Sequence, residues 1–123
     1  MAFATSWKAS NRPRKQRNYR NNAPLHIRGS FLHAPLSKDL KKKYKKNAVR
    51  VRREDKVKII KGTYAGKEGK IERINTKRGL LYLTKVDVQK KDGSKALVPL
   101  RPASVVITEL YLDDKKRAQR FKV

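Results

Sequence analysis

Four groups of residues in this chain have side chains of the kind that do chemistry. His26 and His33 stand seven apart with no cysteine and no further histidine, too few ligands for a zinc site, which takes three or four protein donors. Glu54 and Asp55 are adjacent, so in a strand they point to opposite faces, the wrong arrangement for a general acid and base pair. They are expected to be turn and strand-start residues. Ser37 and Ser94 have cap or turn settings and no nucleophile motif around them. No GxxxxGK[ST] loop is present to hold a nucleotide phosphate. The fourth group is different: Lys61, Gly62, Tyr64, Gly66 and Lys67 fall within seven residues. Two cations that reach phosphate, one ring that stacks on a base or sugar, and glycines that let backbone turn sharply or approach closely form a binding set. The residues therefore predict no enzyme, no catalytic residues, no metal and no cofactor.

Charge says what would be bound. The 123 residues carry a formal charge of +24, and residues 1–53 hold 16 Lys and Arg against the single acid Asp39. Such a field repels itself and makes physical sense beside a dense polyanion, which for nucleic acid means about one charge per 1.7 Å of duplex axis. The candidate contacts are Arg12, Arg14, Lys15, Arg17, Tyr19 and Arg20, then His26 and Arg28, then Lys38, Lys41, Lys42, Lys45, Lys46, Arg50 and Arg52. His26 would hydrogen-bond RNA or cap local structure. Phe3 and Trp7, set among basic residues, would stack on bases or pack against a neighbouring protein. The absence of cysteine removes disulfides and thiolate chemistry. No apolar run approaches the roughly 18 residues of a spanning helix, and the first ten residues lack the apolar core of a secretory signal.

The elements that must position these groups fall into four stretches. Residues 1–22 are too polar to offset their ordering entropy and are expected to be disordered when free. Residues 23–48 carry helix signals: Asn22 before Ala23-Pro24 as a first N-cap, with Leu25, Phe31 and Leu32 on one face, and Ser37 as a second N-cap with Asp39 in its first turn. Over 49–112 the period becomes two, with Val57 and Ile59 opposed to Lys56 and Lys58. Ile71, Leu81, Leu83, Val86, Val88, Val98, Val105 and Ile107 extend the apolar supply. Breaks at Gly62 to Gly66, Asn75 to Gly79, Asp92-Gly93 and Arg101-Pro102 divide it into about five short strands. The fold class is thus mainly β, a small SH3-like barrel with a basic N-terminal extension containing short helices. Residues 113–123 are read as a basic tail.

Residues 54–74, with Lys61-Gly62, Gly66-Lys67-Glu68-Gly69 and the apolar residues on either side, resemble a KOW motif. Gly69 is expected to host a bulge that bends the following strand. Asn22-Ala23-Pro24-Leu25-His26-Ile27-Arg28, Ala34-Pro35-Leu36-Ser37-Lys38-Asp39-Leu40, Tyr44, Arg50-Val51-Arg52 and Pro102-Ala103-Ser104-Val105-Val106-Ile107 extend the resemblance over about residues 14–112. Together they resemble the large-subunit ribosomal protein family numbered twenty-four in the universal scheme and twenty-six in eukaryotes. The chain departs from that pattern at Glu54, where glycine is frequent, and at Ala65, where lysine is frequent. Its C-terminus lacks the long basic tail of eukaryotic members, which favours an archaeal-like form. The resemblance implies binding to 23S/28S-type large-subunit rRNA near its 5′ domain, a place by the exit of the nascent-peptide tunnel beside other ribosomal proteins, an early part in assembly, and a cytoplasmic location. The rivals are a KOW-domain transcription elongation factor and a basic architectural protein preferring duplex DNA.

Overall fold

The computed structural model describes residues 3–121. The outermost two residues of the expected extension and of the expected tail lie outside the described residues. The chain starts with a 3-10 turn at Thr5–Ala9 and a helix α1 at Pro13–Asn22. Pro13 stands at the first helical position, where its missing N–H costs nothing. The Gln16 side-chain amide donates to the carbonyls of Ser10 at 2.7 Å and Lys8 at 3.0 Å, tying α1 to the preceding turn. Tyr19 is buried, its ring stacked on Phe3 at 5.2 Å and tilted against Phe31 at 5.9 Å. The stretch read as too polar to order is therefore helical here, held by one aromatic cluster and one amide.

Asn22 closes α1 instead of capping the next helix, because Ala23 precedes proline and is driven extended, at φ −64° and ψ 138°. Helix α2, Leu25–Ser30, starts without a side-chain cap. Nor does it turn one apolar face inward: Leu25 and Phe31 are exposed while Leu32 is buried. Helix α3, Lys38–Tyr44, starts where expected, with Ser37 Oγ accepting from the Leu40 N–H at 3.5 Å, and ends on Lys45 in the left-handed region at φ 56°.

Two strands flank α3, β1 at His33–Pro35 and β2 at Ala48–Arg50, paired antiparallel with Ala34 opposite Val49. This ribbon has no clear period in the sequence, since each strand is only three residues long. It is joined to the barrel through the Ser37 N–H, which donates to the Ile107 carbonyl at 2.9 Å. Strands β3 (Lys56–Ile59), β4 (Glu68–Asn75), β5 (Leu80–Leu83) and the late strand β8 (Val105–Glu109) make an antiparallel sheet in the order β5-β4-β3-β8. Strands β6 (Asp87–Gln89) and β7 (Lys95–Leu97) form a hairpin of their own. A bridge between Leu81 and Leu100 and another between Leu36 and Ile107 curl the sheets together, giving the small barrel-like β domain that the alternation predicted.

Val57, Ile59, Ile71, Leu81, Leu83, Val86, Val105 and Ile107 are all but fully buried in one core, with Val98 packed at its edge and Val88 exposed. Leu32, Ala34 and Leu36 join the same core, so residues ahead of position 49 complete the barrel. The expected breaks at 62–66, 75–79 and 92–93 are turns, and Arg101-Pro102 opens a short 3-10 helix, Pro102–Ser104. One more turn occurs at Lys85, φ 66°, which separates β5 from β6 and raises the strand count above five. In the hairpin the positive φ falls on Gly93 alone, at 89°, after a turn closed by the Gly93 N–H on the Lys90 carbonyl. Gly69 hosts no bulge. It pairs in register with Val57, and a Cβ there would sit 2.7 Å from the Thr84 carbonyl oxygen, so its role is close backbone passage. The register shifts fall instead between Lys56 and Val57 and between Ile71 and Arg73.

Candidate nucleic-acid interface

The β3–β4 connection is a tight exposed loop. Its neck is closed by the Gly66 N–H on the Ile59 carbonyl at 2.7 Å and the Ile59 N–H on the Lys67 carbonyl at 2.9 Å. Gly62 and Gly66 have φ of 91° and 93°, and a Cβ at either would meet nothing within 4 Å. Both glycines are thus required by backbone conformation and both face open space. Lys61 and Lys67 are exposed at the two sides of the loop. Tyr64 is half-buried against the core, and Lys67 Nζ lies 5.0 Å from its ring centroid. That ring is partly taken up by protein, while the lysine charge it steadies stays at the surface.

The remaining expected contacts separate into groups. Arg14, Arg17 and Arg20 recur at three-residue spacing along α1 and are exposed, as is Arg12 before it, with Lys15 half-buried. Tyr19 faces inward, its ring occupied by Phe3 and Phe31. Arg28 is also committed to protein: its guanidinium donates to the carbonyls of Ala23 at 2.8 Å, Lys77 at 2.5 Å and Asn21, latching the end of α1 to α2 and to the β4–β5 turn. His26 is exposed on α2. Lys38, Lys41, Lys42 and Lys45 are exposed on and around α3, and three lysines in its last turn suit the negative end of the helix dipole. Lys46, Arg50 and Arg52 come together elsewhere, along a cleft beside β2.

How that cleft is closed was not expected. The expected tail is a helix α4, Lys115–Arg120, N-capped by Asp114, which folds back onto the barrel. Its Arg117 is buried and donates to both carboxylate oxygens of the fully buried Asp55, at 2.6 and 2.7 Å. Arg117 also donates to the Tyr111 carbonyl at 2.7 Å and the Arg50 carbonyl at 3.3 Å. Asp55 accepts in addition from the N–H groups of Arg52 and Tyr111. It begins its strand as expected, and it is also the anchor of the C-terminal helix. Beyond Arg117, Phe121 is buried with its edge to Tyr44 and Lys46 Nζ 4.8 Å from its centroid. Arg52 pairs with Asp114, and that guanidinium, helped by the Lys116 N–H, holds the Asp114 carboxyl below the usual range. The one available signal was Asp113-Asp114 ahead of a basic run, an N-cap pattern.

A family model described as ribosomal proteins L26 eukaryotic, L24P archaeal matches residues 10–122. The chain belongs to this family. It is therefore a ribosomal structural protein and not an enzyme. Among curated relatives, a "Large ribosomal subunit protein uL24" of Methanospirillum hungatei is 46% identical over 112 residues, covering 91% of this chain and 93% of that protein. Proteins of the same name from Korarchaeum cryptofilum and Methanothrix thermoacetophila are 44% and 43% identical, covering 88% and 91% of this chain and 82% and 97% of theirs. The resemblance read from residues 14–112 thus extends across α4 as well.

Proposed function

We propose that this chain is a constituent of the large ribosomal subunit in the cytoplasm that binds large-subunit rRNA and helps the RNA fold early in assembly. The observation that carries the reading is where its charge lies. Of 34 Lys and Arg, only Arg52, Lys56 and Arg117 form ion pairs among the described residues. Most of the other described Lys and Arg are exposed and spread over the whole surface, with Arg14, Arg17 and Arg20 on α1, Lys38, Lys41, Lys42 and Lys43 on α3, and Lys61 and Lys67 on the β3–β4 loop among them. Arginines on α1 and lysines on the loop would neutralise phosphates from separate RNA segments and hold together a shape that the RNA alone resists. Arg12, Arg14, Arg17, Arg20, the α3 lysines, Lys61 and Lys67 are the contacts in this reading, with Gly62 and Gly66 shaping the loop. Tyr19 and Arg28 support them from within the protein. A seat near the tunnel exit among other large-subunit proteins belongs to the same proposal.

The decisive experiment is sedimentation of the tagged protein with large subunits through a high-salt sucrose gradient. Co-migration is expected. Recovery only at the top of the gradient would reject the reading. Competition between an rRNA fragment and duplex DNA of equal length discriminates an architectural DNA binder, which would prefer the DNA.

A further inference from the structure

The cleft closed by α4 is more than the place where three expected contacts meet. It is an open cavity of about 810 Å³ between the β1–β2 ribbon, the turn at 52–54 and the C-terminal helix. Its floor is apolar, with Val49, Val51 and Ile74. Arg53, Lys116 and Arg120 lie on its rim, all exposed, and none forms an ion pair with another described residue. Lys116 and Arg120 are one helical turn apart and so project on the same side of α4, while Arg117 between them is turned inward to Asp55. At the lip stands Tyr111, 40% exposed, its hydroxyl bonded to the Asp113 carboxylate and its ring in contact with no described aromatic residue. Its backbone N–H is fixed on Asp55 at 2.9 Å.

We infer that this cleft is a second RNA site, separate from the β3–β4 loop, which takes a single-stranded segment with an unpaired base on Tyr111 and flanking phosphates on Arg53, Lys116 and Arg120. The inference rests on the rRNA-binding reading. It selects an unpaired segment because only a base out of its helix can enter a walled cleft and meet a ring face, whereas duplex RNA keeps its bases stacked and offers mainly phosphate and sugar. Glu54 and Asp114 also line the cleft, Asp114 already paired with Arg52, so the apolar floor with a net cationic rim matches a flat base carried on an anionic backbone and fits a uniformly charged acidic peptide poorly.

The test uses the full chain and a uridine hexamer containing one 4-thiouridine, photocrosslinked and mapped by mass spectrometry. Crosslinks to Tyr111 or to residues 116–120 are expected, and crosslinks confined to other surfaces would overturn the site. Tyr111→Leu should weaken hexamer binding about tenfold, the scale of one lost base stack, and Arg53→Gln with Arg120→Gln should lower the single-strand salt slope by about 1.4, two phosphate contacts. Unfolding midpoints of these exposed-residue variants serve as the control for folding. Equal hexamer affinity in wild type and both variants, or displacement of the hexamer by duplex RNA or poly-glutamate at equal charge, rejects the inference. A Lys61→Ala, Lys67→Ala chain separates the two proposals: it should lose affinity for the rRNA fragment yet keep the crosslink at Tyr111. Failure of the wild type to bind any rRNA would reject the broader reading as well.

Discussion

Gly66 is where backbone need and RNA access meet, and substitution can divide them. With φ at 93°, both Gly66→Ala and Gly66→Asp should lose about 1 kcal/mol of stability. Only the aspartate puts negative charge beside phosphate. We expect Gly66→Ala to fold slightly less well and bind rRNA normally, and Gly66→Asp to bind far worse at the same unfolding midpoint. Equal affinities would leave the loop with a structural role alone. Asp55 and Arg117 make the opposite case, two charges hidden from any ligand. Removing one strands the other, so Arg117→Leu should cost about 3–5 kcal/mol in a denaturant titration, a large share of the stability of so small a domain. Adding Asp55→Asn should restore part of that loss, because the amide oxygen still accepts from backbone while the buried charge is gone. At the surface, Asp114 has its carboxyl held low by Arg52. Its pairing therefore stabilises the fold above the ordinary carboxylate pKa of about 3.9, and the contribution disappears as pH falls through the lowered value. An NMR titration should show Asp114 returning toward the ordinary value in Arg52→Ala.

At the level of elements, strands were legible and the chain ends were not. Val57 and Ile59 alternate with lysines because one face of β3 meets the core and the other meets water, and that two-residue period survives in any sequence folded this way. Helix α3 was equally plain, since Ser37 and Asp39 are local signals for a local structure. Helices α1 and α4 depend on partners far along the chain: Tyr19 on Phe31, Arg28 on Lys77, Arg117 on Asp55. Composition cannot report a contact 62 residues away. The same blindness hid the cleft with Arg53, Lys116 and Arg120 at its rim, whereas the turn of the β3–β4 loop at Gly62 and Gly66, contiguous in sequence, was legible and the half-burial of Tyr64 within it was not. Because α1 buries only Tyr19, it belongs to the least stable part of the fold. Arg28→Ala should therefore speed tryptic cutting at residues 12–20 several-fold while barrel fragments persist unchanged. Equal cutting rates with and without Arg28 would show that the latch is not what holds α1.

The molecule as a whole has a small neutral interior and a surface of almost one sign. Its affinity for rRNA should follow salt accordingly: about six to ten phosphate contacts predict a loss of about 10³ to 10⁵ between 50 and 200 mM salt. Lys67→Ala should reduce the slope by about 0.9, one contact. A shallow dependence would point to recognition by shape and stacking instead. Free of RNA, the same charge works against compactness, so added polyanion should raise the unfolding temperature as any ligand of the folded state does.

The Asp55–Arg117 pair should also set an order in folding. Arg117 follows the last barrel strand, Val105–Glu109, by eight residues, and until it docks Asp55 has two backbone N–H partners and no cation. A barrel closing early would shut in a lone carboxylate, a penalty that favours waiting. Closure of the barrel is thus coupled to the docking of α4. A nascent chain stalled with residues 1–113 outside the tunnel should stay protease-sensitive, and one stalled with residues 1–121 outside should become resistant.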